Sequence, residues 1–284
     1  MTTSAILLIS SPDKKGLVYS LTRFIYEHQG NILHAEQHID EENAYFFMRI
    51  EWDLTLFDIP REHILSALEP LQNEWAMEAT LSFSDEPTRV ALFVSRQDHC
   101  LADLLNRVHH QNLNMDIPLI ISNHADHEAL ARFYGIPYHH IPITPDNKPL
   151  VEAEQRRLLK EHNIDLVVLA RYMQVLSSDF VDQWPHQIIN VHHSFLPAFV
   201  GANPYAQAYA RGVKLIGSTA HFVTPILDDG PIIAQHVVNV SHKDSLSSFI
   251  QKGKELEKHV LTEAVKKYTE HKILVFKNRT VVFD

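Results

Sequence analysis

Ile189-Asn190-Val191-His192-His193-Ser194-Phe195-Leu196-Pro197 ends an apolar run and sets a carboxamide and an imidazole two residues apart. Ile188, Ile189 and Val191 are β-branched, so the run is predicted as a strand, in which alternate side chains share a face. Asn190 and His192 therefore point one way and His193 the other. A carboxamide can donate to a carbonyl oxygen and an imidazole can move a proton near neutral pH. Together they equip the strand's end for chemistry at an acyl carbon.

Working outward, a second strand at 217–224 runs into Pro225-Ile226-Leu227-Asp228-Asp229-Gly230-Pro231, a turn able to return a carboxylate toward the first strand. Asp228 is the candidate, and its neighbour Asp229 carries the same group. An anion beside His192 favours the imidazolium and orients the ring. Upstream, strand-like 89–95 precedes a helical stripe of Leu101, Leu104, Leu105 and Val108. Apolar strands at 119–122, 165–169 and 187–191 alternate with helical stretches at 126–134 and 152–162. This alternation predicts a mostly parallel, Rossmann-like sheet covered on both faces, with ligands bound at the strands' carboxyl ends. A helix over 245–268 and short strands at 273–276 and 280–282 are expected to close that domain.

The first third reads differently. A strand at 5–9 and a turn through Asp13 and Gly16 lead to a helix carrying Leu17, Leu21, Phe24 and Ile25 on one side. Strands at 32–39 and 44–52, a helix opened by Pro60 and a strand at 76–83 complete a ferredoxin-like βαββαβ unit. Polar, proline-bearing 85–88 separates the two periodic regions. The expected division is 1–84, a linker at 85–88, and 89–284.

The 284 residues suffice for two domains, and an excess of acidic groups gives a net charge of −10. No basic run appears, which excludes general affinity for nucleic acid or an anionic membrane. Cys100 is the single cysteine, so intrachain disulfides and cysteine-rich metal sites are impossible. The opening residues lack a basic and apolar leader, and a cytoplasmic protein is expected. Histidines number 20, yet the adjacent pairs diverge on regular structure and no His-Glu-x-x-His motif is present. No metal is expected. Ser194 lacks a Gly-x-Ser-x-Gly setting, and nothing marks Cys100 as an activated thiol.

Asn-x-His, Ser-x-Leu-Pro and Leu-Asp-x-Gly-Pro resemble the formyltransferase family that uses 10-formyltetrahydrofolate. The longer strings His193-Ser194-Phe195-Leu196-Pro197-Ala198-Phe199, Gly201-Ala202-Asn203-Pro204-Tyr205 and Ala220-His221-Phe222-Val223-Thr224 extend the likeness to nearly the whole chain. The resemblance implies that Asn190, His192 and Asp228 are catalytic. Asn190 would bond the oxygen of the tetrahedral intermediate, His192 would carry a proton to the departing nitrogen, and Asp228 would orient the ring and help activate the nucleophile. It also implies a folate held by Arg171, Met173, Gln174, Val175 and Leu176, with His221 and Thr224 alongside. The folate is substrate, and no cofactor is expected.

Family members differ in acceptor. In the purine-synthesis transformylase, a glycine-rich turn after the domain's first strand binds the acceptor's phosphate, whereas 95–100 here contains no glycine. The family's tRNA-directed members carry a further domain and need a basic surface. Water is then the expected acceptor, giving formate and tetrahydrofolate, which would supply purine synthesis and balance the one-carbon pool. Transfer to an amine, or a non-catalytic folate- or amino-acid-responsive regulator, are the alternatives. The first domain resembles an ACT domain, which implies self-association and an amino-acid effector such as glycine or methionine near Asp13, Gly16, Asn31 and Ile32.

Overall fold

The structure, a computed structural model, describes residues 3–198 and 204–284; the 199–203 part of the long motif lies outside these. The chain divides into two compact units, Met1–Pro87 with Glu270–Asp284, and Thr88–Thr269.

In the first unit β1 (Ser4–Pro12), α1 (Leu17–Glu27), β2 (Asn31–Asp40), β3 (Tyr45–Asp53), α2 (Arg61–Trp75) and β4 (Glu78–Phe83) follow the expected βαββαβ order. The antiparallel sheet runs β2-β3-β1-β4. The last strand begins two residues later than expected, because Ala76 ends α2 in the left-handed region at φ 49°. Ala5, Leu7 and Ile9 pack against Leu17, Leu21 and Ile25 of α1 and Ile64 and Leu68 of α2.

The second unit contains β5 (Thr88–Val94), α3 (His99–His109), β6 (Met115–Ser122), α4 (Glu128–Phe133), β7 (Tyr138–His140), α5 (Lys148–Glu161), β8 (Leu166–Leu169), α6 (Ser178–Val181), β9 (Ile188–His192), α7 (Pro204–Arg211), β10 (Leu215–Phe222), β11 (Ile232–Asn239) and α8 (Leu246–Thr269). Its seven strands are ordered β11-β10-β9-β8-β5-β6-β7. Pairing is parallel from β9 to β7, and β10 is antiparallel to both its neighbours. Central strand β8 is the run Leu-Val-Val-Leu, buried at every position, as a strand covered on both faces requires. The strand order reverses between β5 and β8, so the loops leaving their carboxyl ends diverge and open a crevice. No described helix is long and apolar enough to cross a membrane.

The C-terminal hairpin of β12 (Ile273–Phe276) and β13 (Arg279–Val282) corrects one expectation: it belongs to the first unit. The reason lies in β1, whose apolar residues alternate over two faces. Leu8, with Phe47 from β3, points away from the helices and is covered by Phe283, Leu274, Phe276 and Val281. Buried Arg49 anchors the returning chain, donating to His271 O at 3.1 Å and Glu270 O at 3.3 Å while pairing with Glu51 at 3.0 Å.

Candidate active site

Asn190 and His192 occupy the carboxyl end of β9, where the antiparallel register sets Asn190 opposite His221 and His192 opposite Thr219. Cross-strand partners share a face, so this pairing adds His221 to the face that carries the other two. Beyond β10 the chain folds back on itself, with Phe222 N–H donating to Pro231 O at 2.9 Å. A Cβ at Gly230 would stand 1.8 Å from Phe222 O, so only glycine permits this approach. Asp228, at the turn, takes a left-handed φ of 55°, a conformation that costs about 1–2 kcal/mol outside glycine. The returned carboxylate lies 3.3 Å from His192 Nδ1 and 3.7 Å from His221 Nε2.

The hydrogen bonds assign the protons. A carbonyl oxygen only accepts, so His221 Nδ1, 2.9 Å from Phe222 O, carries a hydrogen. Burial lowers the His221 pKa and keeps the ring neutral, leaving Nε2 to accept from Asn190 Nδ2 at 3.3 Å. One amide hydrogen of Asn190 is thereby committed and the other remains for a ligand. The hydrogen bond to His192 is the first cause holding the Asp228 carboxyl below the usual carboxylate range, against burial, which acts to raise it. Asp228 is therefore ionised at neutral pH. His192 Nε2 is buried without a partner, a state that costs about 1–3 kcal/mol unless a ligand relieves it.

These groups line a cleft of about 520 Å³, together with residues from the loop after β8, the turn after β10, Gln97 and His193; β9 ends at His192, so His193 escapes the strand alternation expected to turn it away. The β8 loop is pinned at both ends. Met173 N–H donates to Ser95 Oγ at 2.9 Å, and Ser177 N–H donates to the buried Glu152 carboxylate at 2.9 Å. On this loop the side chains of Met173 and Val175 stand exposed, as does Leu227 on the turn. Apolar side chains on both rims suit a flat ring, and the backbone between them suits its polar edge.

Gln174 and Leu176 line the cleft with them, and Thr224 does so while its hydroxyl donates to Ile226 O at 3.0 Å. Arg171 also lines the cleft, but its Nε lies 3.3 Å from buried Glu257, so its charge faces a protein partner. The amino-acid site does not assemble within one chain. Asp13 N–H bonds Ala44 O, beside the start of β3, whereas Asn31 pairs with Asp53 at the other end. Nine residue steps of strand separate those anchors by roughly 30 Å, with Gly16 on the side of Asp13 and Ile32 beside Asn31.

Glu257 and its partners Tyr205 and His99 went unread as site residues in the sequence. The Glu257 carboxylate accepts from Tyr205 Oη at 2.6 Å and His99 Nε2 at 2.7 Å, besides its pairing with Arg171. The legible signal was position: Phe249, Gly253, Glu257, Val260, Leu261 and Ala264 form the buried stripe of α8, and one of them is a carboxylate. Gly253 makes room, since a Cβ there would fall 2.1 Å from the Tyr205 ring. Two groups among the described residues bring metal-ligating atoms within 4.8 Å of one another, His99-Cys100-Glu257 and His236-His259-Glu263. In the first, Arg171 already neutralises the carboxylate; in the second, Lys267 Nζ lies 3.4 Å from Glu263.

A parallel sheet with an amide, an imidazole and a carboxylate converging at its carboxyl edge defines a class, and comparison with known proteins agrees: residues 88–265 match the formyl transferase family, and residues 5–72 match the ACT domain. The chain is 51% identical over 280 residues to a formyltetrahydrofolate deformylase of Synechocystis, covering 99% of this chain and 98% of that one. It is 42% identical to that of Bacillus subtilis, covering 98% and 93%. A crystal structure of a formyltetrahydrofolate deformylase from Pseudomonas syringae superposes with a TM-score of 0.98 at 44% identity, covering all of this chain and 95% of that one. The chain belongs to the formyltetrahydrofolate deformylase family.

Proposed function

We propose that this chain hydrolyses 10-formyltetrahydrofolate to formate and tetrahydrofolate, a reaction of one-carbon metabolism. The observation that carries the reading is the unpartnered His192 Nε2, buried beside a half-committed Asn190 amide and backed by ionised Asp228. The pterin lies between the Met173–Val175 rim and the Pro225 and Leu227 rim, with the formyl group at the polar end. Water adds to the formyl carbon as the free Asn190 N–H bonds the developing oxyanion, an interaction whose loss costs about 10²–10³ in rate. Asp228 orients His192 and takes charge from it, and the water's proton reaches the folate nitrogen through this pair. The carbon–nitrogen bond then breaks and formate departs.

Purified chain incubated with 10-formyltetrahydrofolate and no added acceptor should release formate and tetrahydrofolate in equal amounts. Release that requires an added amine would make the protein a transferase. The absence of release with folate still bound would make it a binder.

For the first unit we propose a regulatory role in which an amino acid such as glycine or methionine is held between two copies of the chain. The separation of Asp13 and Gly16 from Asn31 and Ile32 supports this, since no single copy brings them together. Edge strand β2, exposed along most of its length, offers a pairing surface. Sedimentation with and without glycine or methionine tests both parts; a monomer that binds neither would remove them.

A further inference from the structure

The mechanism leaves unused a buried cluster at one end of the cleft. Besides the two apolar rims, the cleft is lined by Gln97, Arg171 and His193. Behind His193 stands Tyr205, its ring centroid 6.0 Å away, and behind Tyr205 stands Glu257. His193 also lines a separate, mostly apolar cavity of about 400 Å³ to which Tyr205 contributes a wall. The histidine is thus a partition between two spaces.

The geometry points to His193, braced by Tyr205 and the Glu257–Arg171–His99 network, as the device that denies the formyl group to any nucleophile larger than water. This rests on the hydrolytic reading above and assigns positioning residues to it. Each member is held by another. Gly253 and Glu257 are one helical turn apart on α8, so the space left by the glycine admits the Tyr205 ring and the carboxylate receives its hydroxyl. Glu257 accepts from two side chains and pairs with a third, and has little capacity left for a hydroxyl or amine of an incoming acceptor. Burial works to raise its pKa, but the hydrogen bond from His99 and the Arg171 charge outweigh it, so the carboxylate stays ionised and keeps the Arg171 charge paired rather than free for a phosphate. His193, lowered to about 4 chiefly by burial and then by Arg171, is neutral and offers an anion no attraction.

Opening the partition should change the product. With a small amine such as hydroxylamine admitted, a carbon–nitrogen bond forms at the formyl carbon and the bond to the folate nitrogen breaks. The proton lost by the amine passes to that nitrogen, giving formohydroxamate and tetrahydrofolate. The test compares wild type, His193→Ala and Glu257→Gln in full-length chain, with tetrahydrofolate, formate and hydroxamate all quantified at fixed hydroxylamine. Wild type is expected to yield formate almost alone. His193→Ala should raise the hydroxamate-to-formate ratio on the order of tenfold or more, the size of a lost steric filter, with Glu257→Gln in the same direction and smaller. Folded variants that release formate alone overturn the proposal, as do folded variants that release no tetrahydrofolate, which would place these residues in the chemistry. Should His193→Ala not fold, the Glu257→Gln ratio decides. Wild type that makes no formate sinks the hydrolytic reading instead, whatever the variants' ratios.

Discussion

Asp228 and Glu257 are both carboxylates beside histidines in the same unit, and they differ in how completely they are satisfied. Glu257 is 1% exposed, and its carboxylate accepts from Tyr205 and His99 and pairs with the Arg171 charge. Asp228 is half-buried on a strained turn, and its partner His192 keeps a bare Nε2. Satisfied groups in a low-dielectric interior rigidify, whereas an unsatisfied one holds free energy that only a ligand releases. The first cluster holds shape and the second performs chemistry.

The widest gap between the two should appear in rate. Asp228→Asn keeps the size of the side chain and removes its charge, so kcat should fall about 10²–10⁴-fold. Folate affinity and thermal stability should stay near wild type, as read by equilibrium binding and melting. Unchanged kcat would erase the distinction from the catalytic side. Glu257→Ala should do the reverse where stability is concerned, removing about 3–5 kcal/mol by leaving Arg171 buried and unpaired. Denaturant unfolding measures this, and a loss below about 1 kcal/mol would mean that the network is not structural.

His193 sharpens the comparison with a smaller effect. Its folded-state pKa of about 4 lies below the ordinary 6.5, so the unfolded chain binds more protons between those values. Its contribution is complete above about pH 6.5 and is lost as pH falls toward 4, on the order of 2–3 kcal/mol after allowance for partial exposure. Unfolding free energies across that window should show the slope in wild type and a reduced slope in His193→Gln. Equal slopes would remove His193 from the balance.

Much of this was legible residue by residue. The two-residue spacing of Asn190 and His192 predicted a shared face because strand periodicity is local, and β9 delivers it. The βαββαβ order and the alternation of strand and helix followed from periodicity in the same way. His221 was read as a site residue from its motif, but its pairing with Asn190 came from register across strands distant in sequence. The reach of Asp228 was readable from the turn's composition and its choice over Asp229 from the family resemblance, while its distance from His192 came from the fold. The four residues nominated for an amino acid lie at opposite ends of one strand, a separation within one chain that local sequence does not show.

Sequence alone determined most of the elements, the division into two periodic regions, and the chemical identity of the residues at the strand ends, since propensity and periodicity act between neighbours a few residues apart. Only the tertiary structure decided that the C-terminal hairpin returns to cover Leu8 and Phe47, and that Glu257 meets Arg171, His99 and Tyr205. Those outcomes are settled by which apolar faces lack cover and which buried charges lack partners. Both are properties of the packed whole, and no local stretch of chain contains them.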